Sequence, residues 1–355
     1  MRDANDSLIA NLPDFLTWRT GNDLTRSACK IHVQYVYHQV KTWSNLANTD
    51  LFQSITSLPA SSQQRLLLAP RLYTLLRSKA RPGVEEIESL HQYLDLERYL
   101  CAPGGDRPCD CWSALGDYYL PPDSETFRSP MLGNIVLDAC RPLTKTDYPP
   151  PMGEVTNHTP KELEFIKWRL EQSMDQISRI SRTARSAVEA LLQVITVVRA
   201  PELTKGTQSF SNKPAIGRMG LANSHSSEWS VSKIADAIVH EAIHALIYKI
   251  ELINSLYVDD TMESEPVTAV SPWSGRTLRL HSFLHACFVW FGLWNFWSLA
   301  SREESEAVEL KATAANGFLI GHPLSCVPDA ALARVRPEVR TAIDEMFKQV
   351  IFSVN

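Results

Sequence analysis

The sequence is short of the features that would commit it to nucleic acid, to a membrane or to an oxidising compartment. Its formal net charge is only −5 over 355 residues, and no long basic run interrupts it. It therefore lacks the electrostatic footprint that a phosphate backbone demands, and no nucleic-acid partner is expected. The longest apolar stretch, "ACFVWFGLWNFWSLA", is broken by Asn295 and falls short of the roughly 20 residues that a membrane-spanning helix needs. Cysteine is scarce and odd in number, at seven, which argues against a disulfide framework. The start of the chain, "MRDANDSLIANLPDFLTW", has neither the basic head nor the apolar core of a secretory signal. Repeats and low-complexity tracts are absent too, and these absences together point to a cytoplasmic protein.

What is there suits a folded domain or two: 44% of residues are hydrophobic and 21% charged, the ordinary balance of a globular chain. Up to about residue 100, "DLTRSACKIHVQYVYHQVKTWSNLA", "SSQQRLLLAPRLYTLLRS" and "GVEEIESLHQYLDLERYL" place apolar residues at three- and four-residue intervals, which predicts amphipathic helices. His32, His38 and His91 are scattered through them without a ligand partner at useful spacing. Between Cys101 and Pro160 the composition shifts to Pro, Gly and Asp, the best candidate boundary. Cys101, Cys109 and Cys111 lie there without the spacing of thiolate zinc sites, and a cysteine-bearing loop is expected. The division predicted is a helical region over 1–155, with a role in substrate binding open to it, and a metal-binding catalytic domain over 156–355. Thr159, Pro160 and Glu162 read as the start of a helix that runs, with a break, to about Ile195. Two or three short strands are expected in "TVVRAPELTKGTQSFSNKPAIGRMGLANS".

The chemistry concentrates after that point. "ADAIVHEAIHALIYK" contains H-E-x-x-H on a helix expected to be capped by Ser230 or Ser232. A four-residue step turns 400°, so His240 and His244 lie about 40° apart on one face and about 6 Å along the axis, within reach of one metal ion. Glu241 is about 100° round from His240, well placed to touch a metal-bound water or a ligand histidine. One zinc-peptidase class needs Gly and His three and six residues after the second histidine, where this chain has Ile247 and Ile250. Another takes a downstream glutamate, and Glu304, Glu306 and Glu309 are available. A second helix, expected from near Thr277, carries His281 and His285, four apart again, which makes His285 a candidate third ligand. Three histidines would leave open positions for a chelating cosubstrate and dioxygen. A two-histidine, one-carboxylate site drawing on Asp259, Asp260, Glu263 or Glu265 stays open beside it.

Over roughly Ile195 to Trp297 the chain resembles the H-E-x-x-H-motif peptide β-hydroxylases, iron- and 2-oxoglutarate-dependent enzymes of modified-peptide biosynthesis. The resemblance rests on "SFSNKPAIGRMGL", "ADAIVHEAIHALI" and "SPWSGRTLRLHSFLHACFVWFGLWNFW", in that order. It implies Fe(II) held by His240, His244 and His285, with 2-oxoglutarate and dioxygen as cosubstrates. It also implies hydroxylation of an unactivated carbon, Cβ foremost, in a peptide or amino acid that could be carrier-bound. A dicarboxylate wants a forked cation; Arg279 or Arg276 is the first choice and Arg218 the second. An extended peptide could pair with the strand near Ser209 and Ser211, with Trp273 of the Pro-Trp pair also at the substrate.

The fold expected is mainly α with a small antiparallel β-sheet beside a zincin-like H-E-x-x-H helix and a second ligand-bearing helix. Two other functions fit the same residues. One is a zinc metallopeptidase with Glu241 as general base and Glu306 or a neighbour as third ligand. The other is a non-enzymatic protein with a structural site closed by His240, His244, His281 and His285.

Overall fold

Prolines and glycines cut the apolar periodicity of the first hundred residues into separate rods. The computed structural model describes residues 8–19, 21, 23–77, 81–103, 107–122, 125–139, 155–203, 207–211, 213–258, 267–300 and 305–354. Its helices begin with α1 (Leu12–Phe15), α2 (Asp23–Ala47), α3 (Leu51–Thr56), α4 (Ala60–Leu68), α5 (Pro70–Arg77) and α6 (Val84–Cys101). The break between α4 and α5 falls at Ala69, extended at ψ 123°, because a residue before proline is pushed out of the helical region.

Short strands follow: β1 (Cys111–Trp112), β2 (Tyr118–Leu120) and β3 (Phe127–Arg128) make an antiparallel three-stranded sheet, and β4 (Met131–Leu132) and β5 (Ile135–Asp138) belong to a larger one. The cysteine segment thus becomes a sheet edge, with Cys111 buried against Leu96 and Leu120 while Cys101 and Cys109 stay exposed. α7 (Pro160–Ile180) opens on the expected capping box: the Thr159 N–H donates to Glu162 Oε2 at 2.9 Å and the Glu162 N–H to Thr159 Oγ1 at 3.3 Å. The expected break comes at Ser181, whose hydroxyl accepts from the Ala184 N–H at 3.1 Å to start α8 (Arg182–Leu191).

β6 (Val194–Val198), β7 (Gln208–Ser211) and β8 (Arg218–Ala222) complete a five-stranded sheet of order β4-β5-β6-β8-β7. The three-stranded sheet meets the expectation of a small antiparallel sheet, and this larger sheet departs from it. Its outer pairs are antiparallel, but β5 runs parallel to β6 and β6 to β8. A helical crossover, α7 with α8, joins β5 to β6, and such a connection returns the chain in the same direction. In the β7–β8 pair the Phe210 ring lies across Gly220, so close that a β-carbon there would sit 2.0 Å from it.

The remaining elements are α9 (Val231–Glu251), β9 (Thr268–Val270), β10 (Thr277–Arg279), α10 (Leu280–Ser298), α11 (Ser305–Ile320), α12 (Asp329–Leu332) and α13 (Pro337–Val354). The second apolar helix therefore starts at Leu280 and not near Thr277, because Thr277–Arg279 pairs antiparallel with β9. No helix among the described residues is long and apolar enough to cross a membrane.

Two compact units interleave along the chain. The first takes residues 1–28, 172–188 and 231–355, and the second 29–171 and 189–230. α9, α10 and the β9–β10 hairpin belong to the first; the three- and five-stranded sheets belong to the second. The division at residue 155 is one of roles and stays a proposal.

Inside the second unit a buried ion cluster sets a pH dependence. Arg65 reaches Asp117 at 2.6 Å and Glu97 at 3.2 Å, and Glu97 is only 1% exposed. Burial raises the Glu97 pKa to about 7, since the one guanidinium that opposes the shift is shared with Asp117, whose charge adds to it. A raised carboxyl pKa contributes stability that is complete below about 4.5 and is lost as pH rises through about 7. Relative to Glu97→Gln, which cannot ionise, the wild type should lose up to roughly 3 kcal/mol across that window. Denaturant midpoints of the two proteins between pH 4.5 and 8 check this, and parallel curves would refute it.

Candidate metal centre

α9 begins at Val231, so Ser230 takes the capping position. Ser232 lies inside the helix, where its Oγ accepts from Gln176 Nε2 at 3.1 Å. From Ile234 to Glu251 every residue is buried except five: Asp236, His240, His244, Tyr248 and Glu251 are half-buried. Their steps of four, four, four and three residues keep them within a stripe about 120° wide. Two further charged residues of the helix, Glu241 and Lys249, are buried off this line, and at its end the Glu251 side chain is itself only 2% exposed.

α10 brings His281 and His285 to that line. The imidazoles form a row: His240 to His244 at 5.0 Å between ring centroids, His244 to His285 at 5.3 Å and 21°, and His285 to His281 at 4.4 Å. The Nδ1 atoms of His244 and His285 stand 3.0 Å apart. Two imidazole nitrogens about 2.1 Å from one ion and at right angles to each other would have about that separation. The same distance suits a hydrogen bond between neutral rings in metal-free protein. At the far side of His285, Nε2 lies 3.3 Å from Glu251 Oε2, and His281 Nε2 lies 2.8 Å from Oε1 of the same carboxylate. Tyr248 packs 4.8 Å from the His285 ring, and the Trp290 edge meets His240 at 6.1 Å and 88°.

The electrostatics favour ligand forms. Burial, followed by the neighbouring His240 and His285, holds the His244 pKa well below its usual value, so the ring stays neutral with a lone pair to give. Burial pushes Glu251 upward, but the charge of His285 and the hydrogen bond from His281 outweigh it, and the carboxyl is held below its ordinary range. Burial raises the Tyr248 phenol, with Glu251 and Glu241 adding to the shift. Asp236, one turn before His240, is raised by burial although the Trp297 indole donates to it at 2.7 Å.

His240, His244 and His285 fall on one row, but among the described residues these three are not a group whose ligand atoms all lie within 4.8 Å of one another, and the structure adds Glu251, which the sequence reading missed. Its signal was present, because Glu251 stands seven residues after His244, two turns along the same face. Among the described residues, Glu251, His281 and His285 form one group of three whose ligand atoms all lie within 4.8 Å of one another. Glu241 is buried at the edge of the stripe, nearest in helical angle to Tyr248. Arg276 and Arg279 are exposed, at and just before the β10–α10 junction. Ser209 and Ser211 on β7 and the buried Arg218 on β8 belong to the second unit. Glu306 and Glu309 lie in the first turns of α11. Glu304, Asp259, Asp260, Glu263 and Glu265 lie outside the described residues.

A second group, His158, Glu162 and His225, sits in the second unit with its two rings 5.1 Å apart. Its carboxylate is already committed to the Thr159 cap and to Arg199 at 3.5 Å. Burial, then His225, lowers the His158 pKa to about 4.

No protein-family model matches the chain, and no curated protein matches its sequence.

Trp273 has a packing role. It stacks on Trp290 at 6.1 Å, meets Phe318 edge-on at 5.0 Å and donates from Nε1 to the Ala314 carbonyl at 2.9 Å. Its indole covers Gly317, where a β-carbon would lie 2.3 Å from the ring. Gly317→Ala should cost about 1–3 kcal/mol by overpacking. Combined with Trp273→Ala it should cost much less than the sum of the two single changes, and additive thermal melts would sink this account.

Proposed function

We propose that this chain is an Fe(II)- and 2-oxoglutarate-dependent oxygenase that hydroxylates an unactivated side-chain carbon, Cβ foremost, of a peptide or amino-acid substrate. The observation that carries the reading is the 3.0 Å approach of His244 Nδ1 to His285 Nδ1, with Glu251 on the opposite nitrogen of His285. His240, His244 and His285 would hold the metal. Iron with 2-oxoglutarate and dioxygen supplies the oxidant: one oxygen atom enters a C–H bond as hydroxyl, and the other leaves in succinate as carbon dioxide is released.

The protein's own part is to aim and to shelter. Glu251 accepts from His285 Nε2–H and so fixes the tautomer that leaves Nδ1 free to bind metal, the carboxylate–histidine–metal arrangement. The same carboxylate engages His281, which makes His281 a support for Glu251. Tyr248 and Trp290 wall the row with rings and keep bulk water from two sides of it. Glu241 takes a supporting role, orienting a ligand histidine or holding a water. Arg279, two residues before His281, is the first candidate for the distal carboxylate of 2-oxoglutarate, ahead of Arg276.

Anaerobic reconstitution with Fe(II) and 2-oxoglutarate should give the weak visible charge-transfer band of a chelated complex, and air should then yield succinate. Metal-dependent peptide cleavage without either signal would replace this reading with the zinc-peptidase one.

Variants sort the ligands. His240→Ala, His244→Ala and His285→Ala should each abolish Fe(II) binding in an anaerobic titration. Glu251→Gln should weaken it roughly 10–100-fold, and His281→Ala should weaken it less. Retention of metal by His240→Ala with loss in Glu251→Gln and His281→Ala would move the ion to the Glu251, His281, His285 group. Equal loss in all four histidine variants would indicate a structural site.

A further inference from the structure

We infer that a cavity at the C-terminal end of α10 binds a small organic ligand bearing several phosphoryl charges and hydroxyl groups, of the size and kind of a nucleoside polyphosphate. The cavity has a volume of about 520 Å³, within the range of small-molecule sites. All of its lining residues belong to the first unit. Trp294, at its wall, follows His285 by nine residues, about 14 Å along the helix, so the site is separate from the histidine row.

Its charge is one-sided. Arg19, Lys311 and Lys348 line it, no carboxylate does, and none of the three cations has an ion pair or side-chain hydrogen bond among the described residues. The C-terminal turns of α10 and α13 also open here, each equivalent to about half a negative charge. Two half-charges against three cations leave roughly +2 to be met by something else. Trp294 adds a donor: the residue is 6% exposed and its indole Nε1 is buried without an acceptor. A buried donor left unmade is a costly feature that a bound anion would relieve.

The neutral lining points to an organic ligand. Thr17, Ser298 and Ser353 each already donate their hydroxyl to a main-chain carbonyl, Asp14, Trp294 and Gln349 respectively, at 2.7 Å. They have only lone pairs to offer, and Asn295, which spends one amide N–H on the Phe291 carbonyl at 3.2 Å, adds its oxygen as a further acceptor. The cavity thus pairs strong cationic donors with acceptors, a match for phosphates joined to a body that carries O–H or N–H groups. At the rim the Phe352 ring is 80% exposed, a free face on which a planar base can stack.

The turn that presents Arg19 is held under strain. Trp18, between Thr17 and Arg19, has φ 59°, a genuine outlier for a bulky side chain. Its indole donates to the Gly292 carbonyl at 2.7 Å, and its own carbonyl accepts from Ser181 Oγ at 3.1 Å. Strain that is over-determined in this way is characteristic of ligand clamps.

Isothermal titration of the full-length protein with adenosine triphosphate, with a chelator present to keep the histidine row free of metal, tests the inference. ATP should bind, inorganic tripolyphosphate should bind at least about tenfold more weakly, and adenosine should not bind measurably. Lys348→Glu and Arg19→Glu should each weaken ATP by roughly tenfold or more while leaving Fe(II) binding at the histidine row unchanged. Trp294→Phe keeps the ring, loses the N–H and should also weaken ATP, with circular dichroism confirming its fold. No ATP binding at millimolar concentration in low salt would overturn the proposal, as would full affinity in Lys348→Glu. Equal affinity for tripolyphosphate would overturn the organic part of it.

Discussion

Burial on nearly every side makes each polar group of α9 costly, and five of them, Asp236, His240, His244, Tyr248 and Glu251, share one line, while Glu241 and Lys249 are buried off it. Each of these side chains would be expensive to bury alone. They are tolerable because each lies one turn from the next and because α10 adds His281 and His285, so that every ring or carboxylate of the line has a neighbour. The Trp297 indole closes one end at Asp236, and the pair of histidines closes the other at Glu251. In the first unit the two helices meet along this line.

That meeting demands close approach, and the small residues of α10 and α11 supply it. Gly292 lets α9 and α1 come near: a β-carbon there would lie 2.6 Å from Ile243 and 3.1 Å from Leu16. Its carbonyl also receives the Trp18 indole. Gly317 gives its space to Trp273, which supports Trp290, which in turn borders His240. Aromatic packing therefore passes from α11 to the first histidine of the row without a polar intermediary. The stiffness of such close-packed rings is what a metal site requires if its ligands are to keep their geometry.

Much of this was legible in residues whose message is local. The Thr159–Glu162 capping box, the rods of the first hundred residues and the shared face of His240 and His244 follow from spacing alone, whereas the place of the break at Ser181 does not. What was not legible is non-local. The parallel partners β5 and β6 are separated by α7 and α8, and nothing in either strand announces the other. Glu251 was passed over because a carboxylate ligand was sought in the connection between the helices and on α11, where metallopeptidases and oxygenases draw theirs. The cavity beside Trp294 gathers Arg19 and Lys348 from opposite ends of the chain, and neither residue stands out in its own segment.

Ile247 and Ile250 first serve to exclude one peptidase class, but they do more than that. A glycine at 247 would weaken the helix by about 1 kcal/mol relative to alanine, and a histidine at 250 would put a ligand about 40° outside the stripe, beyond Asp236 on the apolar side. Both isoleucines are instead fully buried, and the helix continues through them for its last turn. That continuation carries Tyr248 and Glu251 to where His281 and His285 arrive. The isoleucines that exclude one metal chemistry are thus the residues through which the helix reaches Glu251, the partner of His285. The residues at 247 and 250 and the orientation of His285 are therefore parts of a single arrangement.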